Sequence, residues 1–270
     1  MSRYRMYKYV LEPLEENERW DLRIWMCDTY SPILQDCFPH ISFNFRSGPS
    51  GTCKSVLSLK HNQVLSLQNL LEIFKTHWLL VKNDYIAPYF SDELDQCIAL
   101  DFNFEENKET GGYEYTKYGR LEHLAKENQN AEARAGLVDV LSNLCNNHPS
   151  YNKASIIIPI PPNPSKTFHL PVEIVRELSG RIGKIDGTNM IHKIKETRRF
   201  KDLSINEKCD ELRESIKITG DVRDKDVIII DDLYQSGFTM WTVAQLLKNK
   251  GAKKVFGLAC VKSLRDTDNI

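Results

Sequence analysis

Four short apolar runs, at 154–160, 187–191, 227–231 and 254–261, alternate with stretches whose apolar residues recur at helical spacing. Runs of that length without polar alternation suit strands buried on both faces, and strands alternating with helices imply a doubly wound parallel sheet. Any ligand site then belongs at the carboxyl ends of the strands. Between the runs, Val172, Val175, Leu178 and Ile182 mark one helix face behind Pro171, which fits a first turn. Met240, Val243, Ala244 and Leu247 mark another, closed by Gly251. Ser204 followed by Glu207 is a capping box, starting a charged helix that runs to about Glu214.

The first 112 residues follow a different pattern. Alternating or aromatic-rich segments at 7–11, 22–26, 41–45 and 55–59 predict a small antiparallel sheet, with Gly48-Pro49-Ser50-Gly51 as a turn. A helix is predicted over 66–80, with Leu70, Leu71, Phe74, His77 and Trp78 on its apolar side and His77 as a core residue. The polar stretch from Glu105 to Gly112 reads as a linker. The predicted organisation is an N-terminal α+β module over 1–112 and an α/β domain over 113–270. The module carries no phosphate, metal or nucleophile pattern, which leaves it as a partner or oligomer surface or as a hood over the site.

Composition narrows the class. With 270 residues, 41% hydrophobic and 27% charged, the chain can bury a sizeable core, and its net charge of −1 argues against a nucleic-acid coat. No apolar run approaches eighteen residues and no signal-peptide pattern opens the chain. Seven scattered cysteines without a C-x-x-C predict neither a zinc site nor a disulfide framework, and point to a reducing cytoplasm.

The chemistry concentrates where the run Val227–Ile230 meets Asp231 and Asp232. The loop Gln235-Ser236-Gly237-Phe238-Thr239 follows and leads into a helix. A tight loop at a helix start presents free backbone N–H groups to an anion. Two carboxylates just ahead of that cradle suit the vicinal hydroxyls of a sugar, which donate to them. A ribose 5-phosphate group satisfies both requirements. Upstream, the run at 154–160 breaks into Pro161-Pro162-Asn163-Pro164-Ser165-Lys166, where prolines fix φ and stiffen the exit from the sheet. A third stretch, 191–203, holds Lys193, Lys195, Arg198, Arg199 and Lys201 against the single acid Glu196 before Asp202. Such a basic segment suits a lid that neutralises phosphate charge, or a solvated face.

The acidic-pair stretch resembles the phosphoribosyl-diphosphate (PRPP) motif of type I phosphoribosyltransferases, an apolar strand, two acids, two variable residues and a Thr/Ser-Gly-x-Thr loop. Tyr234 and Gln235 stand where that family has smaller residues. The resemblance implies that Asp231 and Asp232 hold the ribose hydroxyls and that Gln235, Ser236, Gly237, Phe238 and Thr239 hold the 5′-phosphate. It further implies that Pro162, Asn163, Pro164, Ser165 and Lys166 form the pyrophosphate loop and that Arg198, Arg199 and Lys201 close over the site. The three stretches in this order are similar to the ComF-type branch linked to natural competence. Its middle segment matches at Thr197 and Leu203 but lacks the branch's Gln, and Tyr115-Thr116-Lys117-Tyr118-Gly119 is similar to its Lys-Tyr-x-Gly segment. The zinc ribbon of that branch has no counterpart in 1–112.

The resemblance implies a type I phosphoribosyltransferase sheet binding PRPP with Mg²⁺, the ion arriving through PRPP rather than on direct protein ligands. The reaction implied is transfer of ribose 5-phosphate to a nitrogen nucleophile through an oxocarbenium-like transition state, with pyrophosphate leaving. Two alternatives stay open. One is a non-catalytic PRPP or nucleotide sensor that acts on a protein or nucleoprotein partner through 1–112. The other is a nucleotide-modifying effector of a defence or toxin system. A homo-oligomer is compatible with each.

Overall fold

A computed structural model of the chain describes residues 5–14, 18–25, 27–48, 52–81, 93–197 and 203–264. Two compact units emerge, Met1–Leu80 with His148–Ser150, and Val81–Asn147 with Tyr151–Ile270.

In the first unit β1 (Tyr9–Pro13), β2 (Arg19–Trp25), β3 (Arg46–Ser47) and β4 (Thr52–Ser58) form an antiparallel sheet in the order β1-β2-β4-β3. Helix α1 (Cys27–Cys37), with Pro32 inside it, is not among the elements predicted from the sequence. Helix α2 (His61–Thr76) buries Val64, Leu67, Leu70, Leu71 and Phe74, and a short strand β5 (Leu79–Leu80) follows. His77 caps the end of α2 on the exposed surface, so the expectation of a core histidine is corrected. The predicted strand at 41–45 is absent, its place taken by the two-residue β3. Residues 49–51 of the expected turn lie outside the described residues. Cys53 is disulfide-bonded, contrary to the expectation from cysteine spacing, whereas Cys37, Cys97, Cys145, Cys209 and Cys260 are buried thiols outside any disulfide.

The second unit runs through β6 (Gln96–Phe102), β7 (Phe104–Glu106), β8 (Tyr113–Tyr115), α3 (Lys117–Glu127) and α4 (Ala131–Asn147). The short helix α5 (Pro149–Lys153) precedes β9 (Ile156–Pro159), α6 (Leu170–Ile182) and β10 (Ile185–Asp186). After a 3-10 turn come β11 (Ile191–Lys193), α7 (Ile205–Ser215), β12 (Ile216–Ile218), β13 (Asp226–Tyr234), α8 (Phe238–Asn249) and β14 (Lys254–Lys262). Strands β10, β9, β13, β14 and β6 lie side by side in that order, every neighbouring pair parallel. This is the expected α/β architecture.

Val227, Ile228, Ile229 and Ile230 are fully buried, because a central strand is covered on both faces. The chain leaves β9 through α6 toward β10 on one side, and leaves β13 through α8 toward β14 on the other. Right-handed crossovers place those two helices on opposite faces. The carboxyl ends of β9 and β13 therefore border a topological switch point, where α/β sheets open a crevice.

Three expectations shift. The segment at 96–102 belongs to this sheet, paired with β14, not to the N-terminal module. The expected linker at 105–112 is a hairpin between β7 and β8, turned at Gly111 with φ +68°. The strand expected at 187–191 divides, since β10 pairs with β9 while β11 pairs antiparallel with β12. Gly187 lies between them, pressed so closely on β9 that a Cβ there would come 2.3 Å from Ile158 Cγ2. Among the described residues, no helix is long and apolar enough to cross a membrane.

Candidate functional site

The acidic pair does not end its strand. Asp231 pairs with Ala259, Leu233 with Val261 and Tyr234 with Lys262, so β13 carries its carboxylates on a rigid ladder. Each acid folds back on the next amide: Asp231 Oδ1 accepts from Asp232 N and Asp232 Oδ1 from Leu233 N, both at 2.8 Å. Tyr234 is buried, and the chain turns at Gly237 with φ +83° to begin α8. A Cβ on Gly237 would sit 2.3 Å from the Tyr234 hydroxyl oxygen and 3.2 Å from Trp241 Nε1. The unusual tyrosine therefore fills the space beneath the loop, and glycine is the residue that fits above it.

Gln235 is exposed, Ser236 and Thr239 are partly so, and Phe238 is buried with Lys208 Nζ 5.9 Å from its ring centroid. Of Phe238, then, the backbone amide rather than the ring is available to an anion. The first-turn amides of α8 have no acceptor within the helix, which is the property the loop reading required.

Helix α3 supplies what sequence reasoning missed. Thr116 caps it, accepting from Gly119 N at 3.0 Å, and Gly119 lets the helix press against Asn103, whose carbonyl oxygen is 1.9 Å from where a Cβ would be. This seating brings Lys126 Nζ to 3.0 Å from Asp232 Oδ2 and 3.5 Å from Glu122 Oε1. Burial opposes the charge on Asp232, yet Lys126 prevails and holds the carboxyl below its usual range. Burial and the neighbouring Asp232 push Asp231 well above that range. Burial also raises Glu122 to about 7, with Lys126 offsetting part of the effect. On Lys126 burial works against the charge, but Asp232 and Glu122 outweigh it and raise its pKa. The acids beneath the site thus have distinct proton affinities.

Across from Asp232 runs the segment after β9. Lys166 N donates to Asn163 O at 2.9 Å to close a turn, leaving Pro164, Ser165 and Lys166 exposed, with Pro162 and Asn163 partly buried. Lys193 Nζ donates to Asn163 Oδ1 and, at 3.0 Å, to Thr197 Oγ1, tying this turn to the start of the basic segment. Burial lowers the Lys193 pKa. Arg198, Arg199 and Lys201 lie outside the described residues.

A cleft of about 280 Å³ opens between these parts, lined by Ser165, Lys166, Phe168, His169, Lys126 and Asp232 among others. The structure therefore brings Ser165 and Lys166 onto one cavity with Asp232. The residues from Gln235 to Thr239 stand apart from that lining, in the turn that follows. Lys126, Glu122 and His169 join the site without having been foreseen. Their only trace in the sequence is the Glu122–Lys126 spacing of four, which also describes an ordinary solvated pair.

Residues 171–266, about a third of the chain, match the family model for the phosphoribosyl transferase domain. A ribose-phosphate pyrophosphokinase of Haemophilus influenzae is 48% identical over 42 residues, 16% of this chain and 13% of that protein. The Vibrio parahaemolyticus enzyme of the same name is 41% identical over 59 residues, 21% of this chain and 19% of its own. The chain thus spans less than a fifth of the length of these relatives. Among solved structures, phosphoribosylpyrophosphate synthetase from Mycobacterium smegmatis aligns at 17% identity and TM-score 0.31, covering 46% of this chain and 33% of that one. Purine phosphoribosyltransferase from Pyrococcus horikoshii aligns at 20% identity and TM-score 0.29, covering 49% and 81%.

Proposed function

Taking the phosphoribosyl transferase match over 171–266 as the premise, we propose that this protein binds PRPP through the carboxyl edge of its parallel sheet. In this reading it transfers ribose 5-phosphate to a nitrogen nucleophile and releases pyrophosphate. The observation that carries the reading is the placement of Asp231 and Asp232 in the carboxyl-terminal half of β13, just short of its last residue Tyr234. They precede the glycine-hinged loop into α8, and Asp232 lines the cleft that holds Lys166. Ribose hydroxyls would donate to the two carboxylates, and the 5′-phosphate would accept from the amides of 235–239. Lys166 would face the diphosphate. Arg198, Arg199 and Lys201 would close over it. Catalysis of this kind rests on positioning and electrostatics rather than on a protein nucleophile.

Mg²⁺ fits this arrangement as a companion of the ligand. Mg²⁺ commonly binds through phosphate oxygens with few protein carboxylates, and the cleft between Lys166 and Asp232 is where a diphosphate would carry it. When bound it would neutralise diphosphate charge.

A second reading, binding of PRPP without turnover, draws on the Lys126–Asp232 pair. A ribose diol must share or displace that contact, so ligand arrival would reposition α3 and signal outward. Release of pyrophosphate on incubation with PRPP, Mg²⁺ and mixed nucleobases separates the two. Turnover that is absent in Asp231→Asn/Asp232→Asn supports the enzyme, and binding without release supports the sensor. The N-terminal unit in either case is proposed to set the partner or the assembly.

A further inference from the structure

His169 breaks a local rule. It occupies the position before the first residue of α6, where the side-chain oxygen of a Ser, Thr, Asp or Asn would normally accept from a first-turn amide. Its side chain makes no cap hydrogen bond, and the Val172 and Glu173 amides bond to its backbone carbonyl at 3.1 and 3.3 Å instead. His169 lines the cleft with Lys166, Lys126 and Asp232. There Nδ1 is buried and has no hydrogen-bond partner among the described residues. A buried polar atom without a partner is costly, so a ring in the cleft wall that turns its Nδ1 toward a ligand gains a hydrogen bond on binding.

We propose that His169 is a binding residue for the leaving diphosphate, donating Nδ1–H to one of its oxygens beside Lys166. The inference rests on the PRPP reading of the site and extends the pyrophosphate contacts beyond residues 162–166. Charge favours an anion over a sugar hydroxyl here. Lys166, Lys126 and Lys193 all act on the ring, against one carboxylate, Asp232. Burial together with those lysines lowers the His169 pKa to about 4, although Asp232 pulls the other way. The ring is then neutral at pH 7 and carries one N–H to donate, while the lysines supply the charge.

The test is calorimetry with Mg²⁺ and two separate probes, inorganic pyrophosphate and ribose 5-phosphate. In His169→Ala the affinity for pyrophosphate should fall roughly tenfold or more, the worth of a hydrogen bond to a charged group. In His169→Asn, whose amide nitrogen stands near the Nδ1 position, it should stay within about threefold of wild type. Ribose 5-phosphate should bind all three proteins alike. An independent readout on the unmutated chain is the ¹⁵N resonance of the His169 ring, which should shift with pyrophosphate and hold still with ribose 5-phosphate. Equal pyrophosphate affinity in His169→Ala, or an unmoved ring signal at saturating pyrophosphate, overturns the proposal while ribose 5-phosphate binding leaves the site reading intact. A wild-type protein that binds neither probe overturns both.

Discussion

Lys126→Met isolates the ion network beneath the acidic pair. Methionine keeps most of the apolar stem that packs in α3 and removes only the ammonium. The loss takes away the cation that stands 3.0 Å from Asp232 and 3.5 Å from Glu122, with Asp231 beside Asp232. Removing one partner of a fully buried pair costs about 3–5 kcal/mol. Lys126 keeps 31% of its side-chain surface open and Asp232 14%, so solvent screens part of this, and about 2 kcal/mol is expected at pH 8. The loss should depend on pH in a set direction. Lys126 depresses the folded-state pKa of Asp232, so that stabilisation is present above the unfolded value and persists at pH 5. Glu122, raised to about 7, is ionised at pH 8 but protonated at pH 5, and Asp231 is likewise raised. At pH 5 Lys126 therefore faces less carboxylate charge than at pH 8, and the loss should shrink to about 1 kcal/mol. Urea unfolding followed by circular dichroism, wild type against variant at both pH values, reads the difference. An equal loss at pH 5 and pH 8, or none at either, would refute the network.

Other expectations follow from single features. Gly237→Ala places a Cβ against the Tyr234 hydroxyl at a φ of +83°, so backbone strain alone should cost about 1–3 kcal/mol and calorimetry should show a lower melting temperature. His148 is fully buried against Phe74 and Trp78, and burial lowers its pKa to about 3. Below about pH 6.5 the unfolded chain takes up a proton that folded His148 refuses, so stability should fall by up to roughly 1.4 kcal/mol per pH unit toward pH 4. His148→Phe should remove that component from urea midpoints at pH 7, 6 and 5, and an unchanged slope would count against it. A fragment of residues 113–270 lacks β6 and uncovers the β14 edge with Phe256, Leu258 and Val261, so it should aggregate in size-exclusion chromatography where 81–270 stays in solution.

What could be seen in the sequence was local. The apolar run, the two acids and the glycine loop are contiguous, so their pattern alone locates β13, the turn and α8. The Ser204 box is equally local, and the structure shows both of its hydrogen bonds. In the sequence, charge reads as a boundary and sets the acids at the strand's end. In fact β14 runs on to Lys262 and carries β13 with it to Tyr234. The strand at 96–102 did bear a signal, an uninterrupted Cys-Ile-Ala-Leu between polar ends, but the antiparallel pattern before it masked a parallel partner more than 150 residues away. Lys126, Glu122 and His169 were invisible for a different reason. Their roles come from α3 pressing against Asn103 and from a cleft whose walls come from three separate elements, and no spacing along the chain encodes that meeting.

The central claim is that the carboxylates of β13 hold a phosphoribosyl ligand. Calorimetric titration of PRPP with Mg²⁺ into wild type and into Asp231→Asn/Asp232→Asn tests it most directly. Loss of charge-assisted hydrogen bonds worth about 1.5–3 kcal/mol at each position predicts that the double variant binds at least roughly a hundredfold more weakly. Equal affinity in the two proteins, or no binding by wild type, would contradict it.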